Sequence, residues 1–302
     1  MRGALSPVLL VPGLLVAATT APAPASDGPP FWVARRGEAT VFILGFGESR
    51  DTSWLTPTIR KAFEQSSQLW LETAGPNAPS QPQGDSDKRA AATRIEQLAH
   101  ESGRTLFDAL EPPVRQRTLD YLAELKVNPD SVRTFRPWRA YYSIVSAFYA
   151  DRKMPYDAVP VDGTLERMAR SSGKTIGYEF PSREAFVTFM AAMSDQAQSQ
   201  YIEWLLDFLD DYKAGLNDDA ATFGWLKGQN PPTRSLDRMR TRTPDLYQVM
   251  QPQRNLWWAR KVDELLNTRG TYFVAVGQLH VMEPDGIPQQ LARLRVTVEK
   301  VP

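Results

Sequence analysis

The chain alternates short apolar runs of strand length with longer segments whose apolar residues recur at helical spacing. Two β-rich runs, Phe31 to Arg35 and Thr40 to Leu44, flank a turn at Gly37 and predict a hairpin or two neighbouring strands. Further strands are predicted in the stretches SQLWLE, KTIGYEF, TYFVAV and VTVEKV. Strands that alternate with helices predict an α/β fold, here a single domain with a central mixed β-sheet flanked by helices.

Helical patterns dominate two long stretches, from about 91 to 160 and from about 183 to 268, so we expect two large helical insertions. In the second stretch, the segment YIEWLLDFLDDYKAGL places its aromatic and aliphatic residues on one face, which predicts a helix packed on the core. Its acidic residues are expected to form the solvated side of that helix: Glu203, Asp207, Asp210 and Asp211. A further helix is predicted over 251–268.

The N-terminus has the pattern of a secretory signal peptide. Arg2 precedes an apolar stretch from about 8 to 18, and Ala23-Pro24-Ala25 is a small-residue cleavage site. The apolar stretch is shorter than the ~20 residues that a transmembrane helix needs. We therefore predict a signal peptide at 1–25, a mature domain at 26–302, and an exported, periplasmic or secreted protein without a permanent membrane span.

Composition narrows the possible chemistry. The chain has 302 residues, with 35 lysines and arginines against 35 aspartates and glutamates, so no net field favours a nucleic-acid partner. It contains no cysteine, which excludes disulfides, thiolate metal sites and a cysteine nucleophile. It contains only two histidines, and one of them, His280, closely follows an apolar run that ends in glycine. The other, His100, is expected to be a capping cation at the end of a helix.

Four predicted strands lead to a potential ligand or acid/base group. The side chains are Glu48, Glu72, Glu179 and His280. Ligands bind beyond the carboxyl ends of the strands in open α/β sheets, so convergence of these four ends would form one compact site. Carboxylates with one imidazole suit a divalent ion such as Mn²⁺, Co²⁺ or Zn²⁺. The alternative interpretation is that each glutamate is a helix cap or surface residue and that His280 is a hydrogen-bonded polar group.

Several motifs resemble those of a known family. They include FWVARRGEATVFILGFGESRD, QLWLE, RPWRAYY and VDGTLERMARSSGKTIGYE, and most specifically QRNLWWARKVDELL followed by GTYFVAVGQLHVMEPDGIPQQL. From Phe31 to about Val298 the chain resembles the TraB/GumN family, which includes the Tiki-type secreted metalloproteases. Erythromycin esterase and the ChaN proteins are more distant relatives of that family.

The resemblance implies a metal-dependent hydrolytic site formed by two GxxH elements and a glutamate. The second GxxH element is intact at Gly277 to His280, and Glu72 matches the glutamate. In the first element, at Gly45 to Glu48, glutamate stands where the family has histidine. Glu48 either replaces the imidazole as a ligand or marks a site that has lost its metal. In the second case the chain would be a periplasmic binding or scaffold protein.

The resemblance also implies roles for the residues around the metal. The ion would be held by Glu48, Glu72 and His280, and its bound water would attack a peptide or ester carbonyl. Glu179 would act as the general base or would hold one of the metal ligands in position. The substrate would be a peptide or another small molecule.

An Arg-Asn pair of the family is matched by Arg254 and Asn255. The arginine could clamp a substrate carboxylate or stabilise an oxyanion, with a further hydrogen bond from the asparagine. Alternatively, Arg254 pairs with Glu72 or Glu179 and holds the strand ends together.

Overall fold

The computed structural model describes residues 28–47, 49, 51–75, 85–152, 160–216, 224–228 and 233–301. The predicted signal peptide at 1–25 and the candidate ligand Glu48 lie outside these residues. Among the described residues, no helix is both long and apolar enough to cross a membrane.

A mixed six-stranded sheet forms the centre of the fold, in the order β4-β3-β5-β2-β1-β6. Strands β2, β5, β3 and β4 run parallel, whereas β1 is antiparallel to both β2 and β6. The predicted α/β class with a mixed sheet is therefore confirmed. The strands are β1 (Phe31–Arg36), β2 (Ala39–Phe46), β3 (Gln68–Ala74), β4 (Thr175–Phe180), β5 (Gly270–Gly277) and β6 (Val298–Val301).

Helices cover the sheet and make up most of the described residues of both predicted insertions. They are α1 (Pro57–Gln65), α2 (Asp85–Ala99), α3 (Leu106–Ala109), α4 (Pro112–Glu124), α5 (Pro137–Asp151), α6 (Val161–Ser171), α7 (Arg183–Ala191), α8 (Asp195–Lys213), α9 (Thr233–Arg242), α10 (Pro244–Gln248), α11 (Arg254–Leu266) and α12 (Ile287–Arg293). Short 3₁₀ turns lie at Pro129–Ser131 and Gln278–Val281, and a π-turn at Val249–Gln253.

Strand β5, within the parallel part of the sheet, is buried on both faces, as its continuous apolar run predicts. In β5 every residue from Tyr272 to Val276 is at most 2% exposed. The hairpin between β1 and β2 turns at Gly37, whose φ of 55° suits glycine. A second apolar cluster joins α4, α5 and α8 within the helical insertions.

The C-terminal strand β6 pairs with β1 rather than with β5, the strand that precedes it in the chain. Strand β5, helix α12 and strand β6 follow one another along the chain, but β2 and β1 lie between β5 and β6 in the sheet. The side chains that follow β5 therefore face β3 and β2.

The acidic side of α8 is not simply solvated, so that expectation was wrong for Asp207. Asp207 is only 3% exposed and lies between Arg117 and Arg242, at 2.9 Å and 3.1 Å. Its acidic neighbours on α8 also pair with arginines of α4 and α9. The reason is that α4 and α9 present arginines to this side of the helix.

Candidate active site at the strand ends

The register of the parallel strands brings the predicted site residues to one edge of the sheet. Leu71 pairs with Ala275 on one side and with Tyr178 on the other, so Glu72 lies beside Glu179 and near the end of β5. On the far side of β5, Phe46 pairs with Gly277. The sheet thus aligns the four strand ends that the sequence singled out, although Glu48 itself lies outside the described residues.

Glu72 is the centre of the described site. Its Oε2 accepts a hydrogen bond from the backbone N–H of Gly277 at 2.5 Å. Its Oε1 lies 3.0 Å from Nη2 of Arg254 and 3.1 Å from Nε2 of His280. The Cβ of any larger residue at Gly277 would lie 2.9 Å from Oε2, so the glycine allows the close approach of this carboxylate.

These contacts keep Glu72 ionised. Burial raises the pKa of the Glu72 carboxyl, but the positive charges of His280 and Arg254 oppose it. Hydrogen bonds from His280 and from the Gly277 N–H act in the same direction as the charges. Together they hold the pKa of Glu72 well below its usual range.

His280 is oriented by Asn255. The imidazole is 3% exposed and lies in the 3₁₀ turn after β5. Nδ2 of Asn255 donates to the backbone carbonyl of Asp285 at 2.9 Å, which turns Oδ1 towards Nδ1 of His280, 2.5 Å away. Nδ1 therefore carries a proton; Nε2 donates a second proton to Glu72 in the charged ring and offers its lone pair in the neutral ring.

Arg254 joins the two strand-end glutamates. Its Nε and Nη2 bond both oxygens of Glu179, at 2.7 Å and 2.6 Å, and Nη2 also reaches Glu72. Nε1 of Trp258 donates to Glu179 Oε2 at 3.2 Å, and the guanidinium lies over the ring of Phe180. Burial lowers the pKa of Arg254, but the two glutamates outweigh burial and raise it. The expectation that Arg254 pairs with Glu72 or Glu179 is confirmed for both.

The segment before Arg254 departs from the continuous helix predicted over 251–268. Pro252 lies within the π-turn Val249–Gln253, and α11 begins at Arg254. Proline has no N–H to donate, so it disfavours a regular α-helical turn. The first two residues of α11, Arg254 and Asn255, both reach the site.

Sequence reasoning missed one acidic residue of this edge, Asp162. Pro160 is the N-cap of α6, and Asp162 lies inside the first turn of the helix. Burial raises the pKa of the Asp162 carboxyl, and the nearby charge of Glu72 raises it further. The sequence contained a signal for the position of Asp162, because α6 directly precedes β4. A helix that runs antiparallel to the next strand begins at the edge of the sheet where that strand ends.

Two atoms of the described residues are suitable ligands for a divalent ion, Glu72 Oε1 and His280 Nε2. Their separation of 3.1 Å matches two ligands of one ion at about 2.0 to 2.2 Å each. The hydrogen bond from Asn255 to the other ring nitrogen is of the kind that orients metal-bound histidines. Within the described part of the chain no third His, Asp or Glu completes a cluster, and Arg254 shares the Glu72 oxygen.

Comparison with known proteins gives the family. The profile of the TraB/PrgY/gumN family matches residues 30–300, nearly the whole chain, and the protein belongs to that family. No curated protein and no solved structure matches the chain.

Proposed function

We propose that the protein is an exported, divalent-metal-dependent hydrolase that cleaves a peptide or ester bond. The proposal rests on the hydrogen bonds that join Asn255 to His280 and His280 to Glu72. Asn255 holds the ring by Nδ1, so that Nε2 meets a carboxylate oxygen at 3.1 Å. In the neutral ring Asn255 accepts the Nδ1 proton, which leaves Nε2 as a donor atom for a metal beside a carboxylate oxygen.

In this proposal the chain's own residues prepare the site. Glu72 and His280 hold the ion, with Glu48 as a further ligand, and Mn²⁺, Co²⁺ or Zn²⁺ suits such donors. The bound ion would supply a Lewis acid and a water of lowered pKa. Arg254 fixes Glu179 and limits the negative charge around Glu72, and Asn255 keeps the imidazole in one orientation.

A second candidate is a family member that binds a peptide or small molecule without hydrolysing it. This candidate is favoured because each carboxylate oxygen of Glu72 and Glu179 already has a hydrogen-bond partner in the protein. Arg254 donates three of these hydrogen bonds. If Arg254 keeps Glu72 Oε1, no metal ion binds there.

Thermal melting of the wild type and two histidine variants separates the candidates. At 100 times Kd, a bound ion adds about 2.7 kcal/mol to the free energy of unfolding. For a chain of this size the melting temperature then rises by roughly 5 to 10 °C. We expect this rise with Mn²⁺, Co²⁺ or Zn²⁺ in the wild type and in His100→Ala, but not in His280→Ala. Metal analysis of protein purified without chelator should agree. Absence of metal and of any rise in the wild type would favour the binding protein.

The proposed export rests on the signal-peptide pattern at 1–25. Mass spectrometry of the mature N-terminus should find Ser26 as the first residue in a periplasmic or secreted fraction. An intact Met1 in the membrane fraction would refute cleavage.

A further inference from the structure

The loop 282–286, which follows the 3₁₀ turn with His280, folds back onto that turn. A Cβ at Gly286 would lie 2.5 Å from the carbonyl oxygen of Met282 and 2.8 Å from the carbonyl carbon of Val281, so glycine permits this approach. The side chains of Val281 and Met282 are buried. This return loop therefore packs directly against the residues that carry His280.

Two helices hold the return loop through the carboxylate of Asp285. Its Oδ2 accepts a hydrogen bond from the hydroxyl of Tyr247 in α10, at 3.0 Å, and its Oδ1 pairs with Nη2 of Arg293 in α12, at 3.1 Å. Tyr247 is 3% exposed. Burial and the neighbouring Asp285 carboxylate raise the pKa of Tyr247 to about 12, so its hydroxyl remains a hydrogen-bond donor.

The backbone carbonyl of Asp285 sets the orientation of the Asn255 amide. This carbonyl accepts hydrogen bonds from Nδ2 of Asn255 at 2.9 Å and from Nε2 of Gln290 at 3.3 Å. Because a carbonyl oxygen has no proton to donate, the NH₂ group of Asn255 faces it and Oδ1 faces Nδ1 of His280. The place of Asp285 thus decides which ring nitrogen of His280 has an acceptor beside it.

We propose that Asp285 is a positioning residue that selects the Nδ1-protonated form of His280 through Asn255. The inference rests on the proposed function, because this form leaves Nε2 with the lone pair that a metal ion needs. Tyr247 and Arg293 take part by fixing the carboxylate of Asp285 and with it the return loop.

The selection matters because Glu72 favours the opposite form of the ring. Glu72 Oε1 lies 3.1 Å from Nε2 of His280 and can accept a proton's hydrogen bond there. If the Asn255 amide flipped, its NH₂ group would donate to Nδ1, and the neutral ring would carry its proton on Nε2. Such a ring cannot bind a metal through Nε2. Asp285 prevents this by keeping the amide in place.

NMR of the ring nitrogens tests the selection without a metal. In His100→Ala, His280 is the only imidazole of the chain, so long-range ¹H–¹⁵N correlation spectra at alkaline pH report on this ring alone. We expect a protonated Nδ1 that exchanges slowly with solvent. When Asp285→Ala is added, the Nδ1 resonance should move towards that of an unprotonated nitrogen and its proton should exchange faster. An unchanged resonance and exchange rate would overturn the proposal.

Two tyrosine variants separate this role from a general loss of packing. Tyr247→Phe removes the donor to Asp285 and should shift the Nδ1 resonance in the same direction as Asp285→Ala. Tyr272→Phe is the matched control, because that tyrosine is 2% exposed and its hydroxyl donates to backbone carbonyls of residues 268 and 269, before β5 begins. The control should leave the resonance unchanged. Equal shifts in both tyrosine variants would contradict a specific role.

A conservative variant gives a second check and replaces Asp285→Ala if that variant does not fold. In Asp285→Asn the amide oxygen can still accept from Tyr247, whereas the ion pair with Arg293 is lost. We expect it to restore most of the slowly exchanging Nδ1 proton. An Asp285→Asn protein that loses this proton while Tyr247→Phe keeps it would refute the arrangement.

Binding of Mn²⁺, measured from the EPR signal of the free ion, links the selection to the proposed function. The Kd should rise by about 10- to 100-fold in Asp285→Ala and stay unchanged in Tyr272→Phe. If the wild type binds Mn²⁺ and Asp285→Ala binds it equally well, the role of Asp285 is refuted and the proposed function stands. If the wild type binds no Mn²⁺, Co²⁺ or Zn²⁺, the proposed function fails, and the NMR result alone decides whether Asp285 orients the ring.

Discussion

At the scale of single residues, the site depends on a close approach that only glycine permits. The N–H of Gly277 binds Glu72 Oε2, and the same position leaves no room for a methyl group beside that oxygen. The glycine of the GxxH element is therefore explained by contact with the glutamate as well as by the turn that leads to His280.

Replacing Gly277 by alanine should displace the Glu72 carboxylate. The added Cβ would lie 2.9 Å from Oε2, so we expect a loss of about 1 to 3 kcal/mol in the free energy of unfolding and a smaller rise in melting temperature with metal. Gly163→Ala is the matched control, because its Cβ would have no atom nearer than 3.6 Å. Equal metal responses in the two variants would show that Glu72 does not depend on this contact.

Much of the site at this scale could be predicted from the sequence, because each candidate follows a strand. Glu72, Glu179 and His280 meet where the pattern placed them, and a link from Arg254 to the glutamates was one of two stated alternatives. Asp162 was missed because an aspartate before a helical pattern resembles an N-cap. The packing of α6 against β4 places the start of α6 at this edge of the sheet.

At the scale of elements, α8 shows how far an amphipathic pattern determines packing. The pattern predicts the helix and its apolar face, and both are observed. It does not reveal which acidic side chain will meet arginines, because Arg117 and Arg242 come from helices distant in sequence. Asp207 is buried for that reason, although its neighbours on the same side are more exposed.

Neutralising Asp207 should weaken the packing of α8 against α4 and α9. Asp207→Asn leaves Arg117 and Arg242 without their buried partner, so the free energy of unfolding should fall by about 1 to 3 kcal/mol. Asp237→Asn removes an equal charge from an exposed pair with Arg240 and should change stability by at most about 0.5 kcal/mol. Urea denaturation measures both variants, and equal losses would contradict the role given to burial.

At the scale of the whole molecule, strand order turns separate motifs into one site. Four parallel strands in the order β4-β3-β5-β2 bring their ends together, although they come from residues as distant as 39 and 277. Strand types and approximate boundaries could be predicted from apolar patterns. Strand order could not, because pairing depends on contacts between distant segments, and β6 beside β1 is an example.

The central claim is that Glu72 and His280 hold one divalent ion at this edge. Anomalous diffraction from crystals grown with Mn²⁺ or Zn²⁺, recorded at the absorption edge of the metal, tests it most directly. We predict a peak bonded to Glu72 Oε1 and His280 Nε2, with Arg254 retained on Glu179 but withdrawn from Glu72. Crystals that show no peak there, with Arg254 still bound to Glu72 Oε1, would contradict the account.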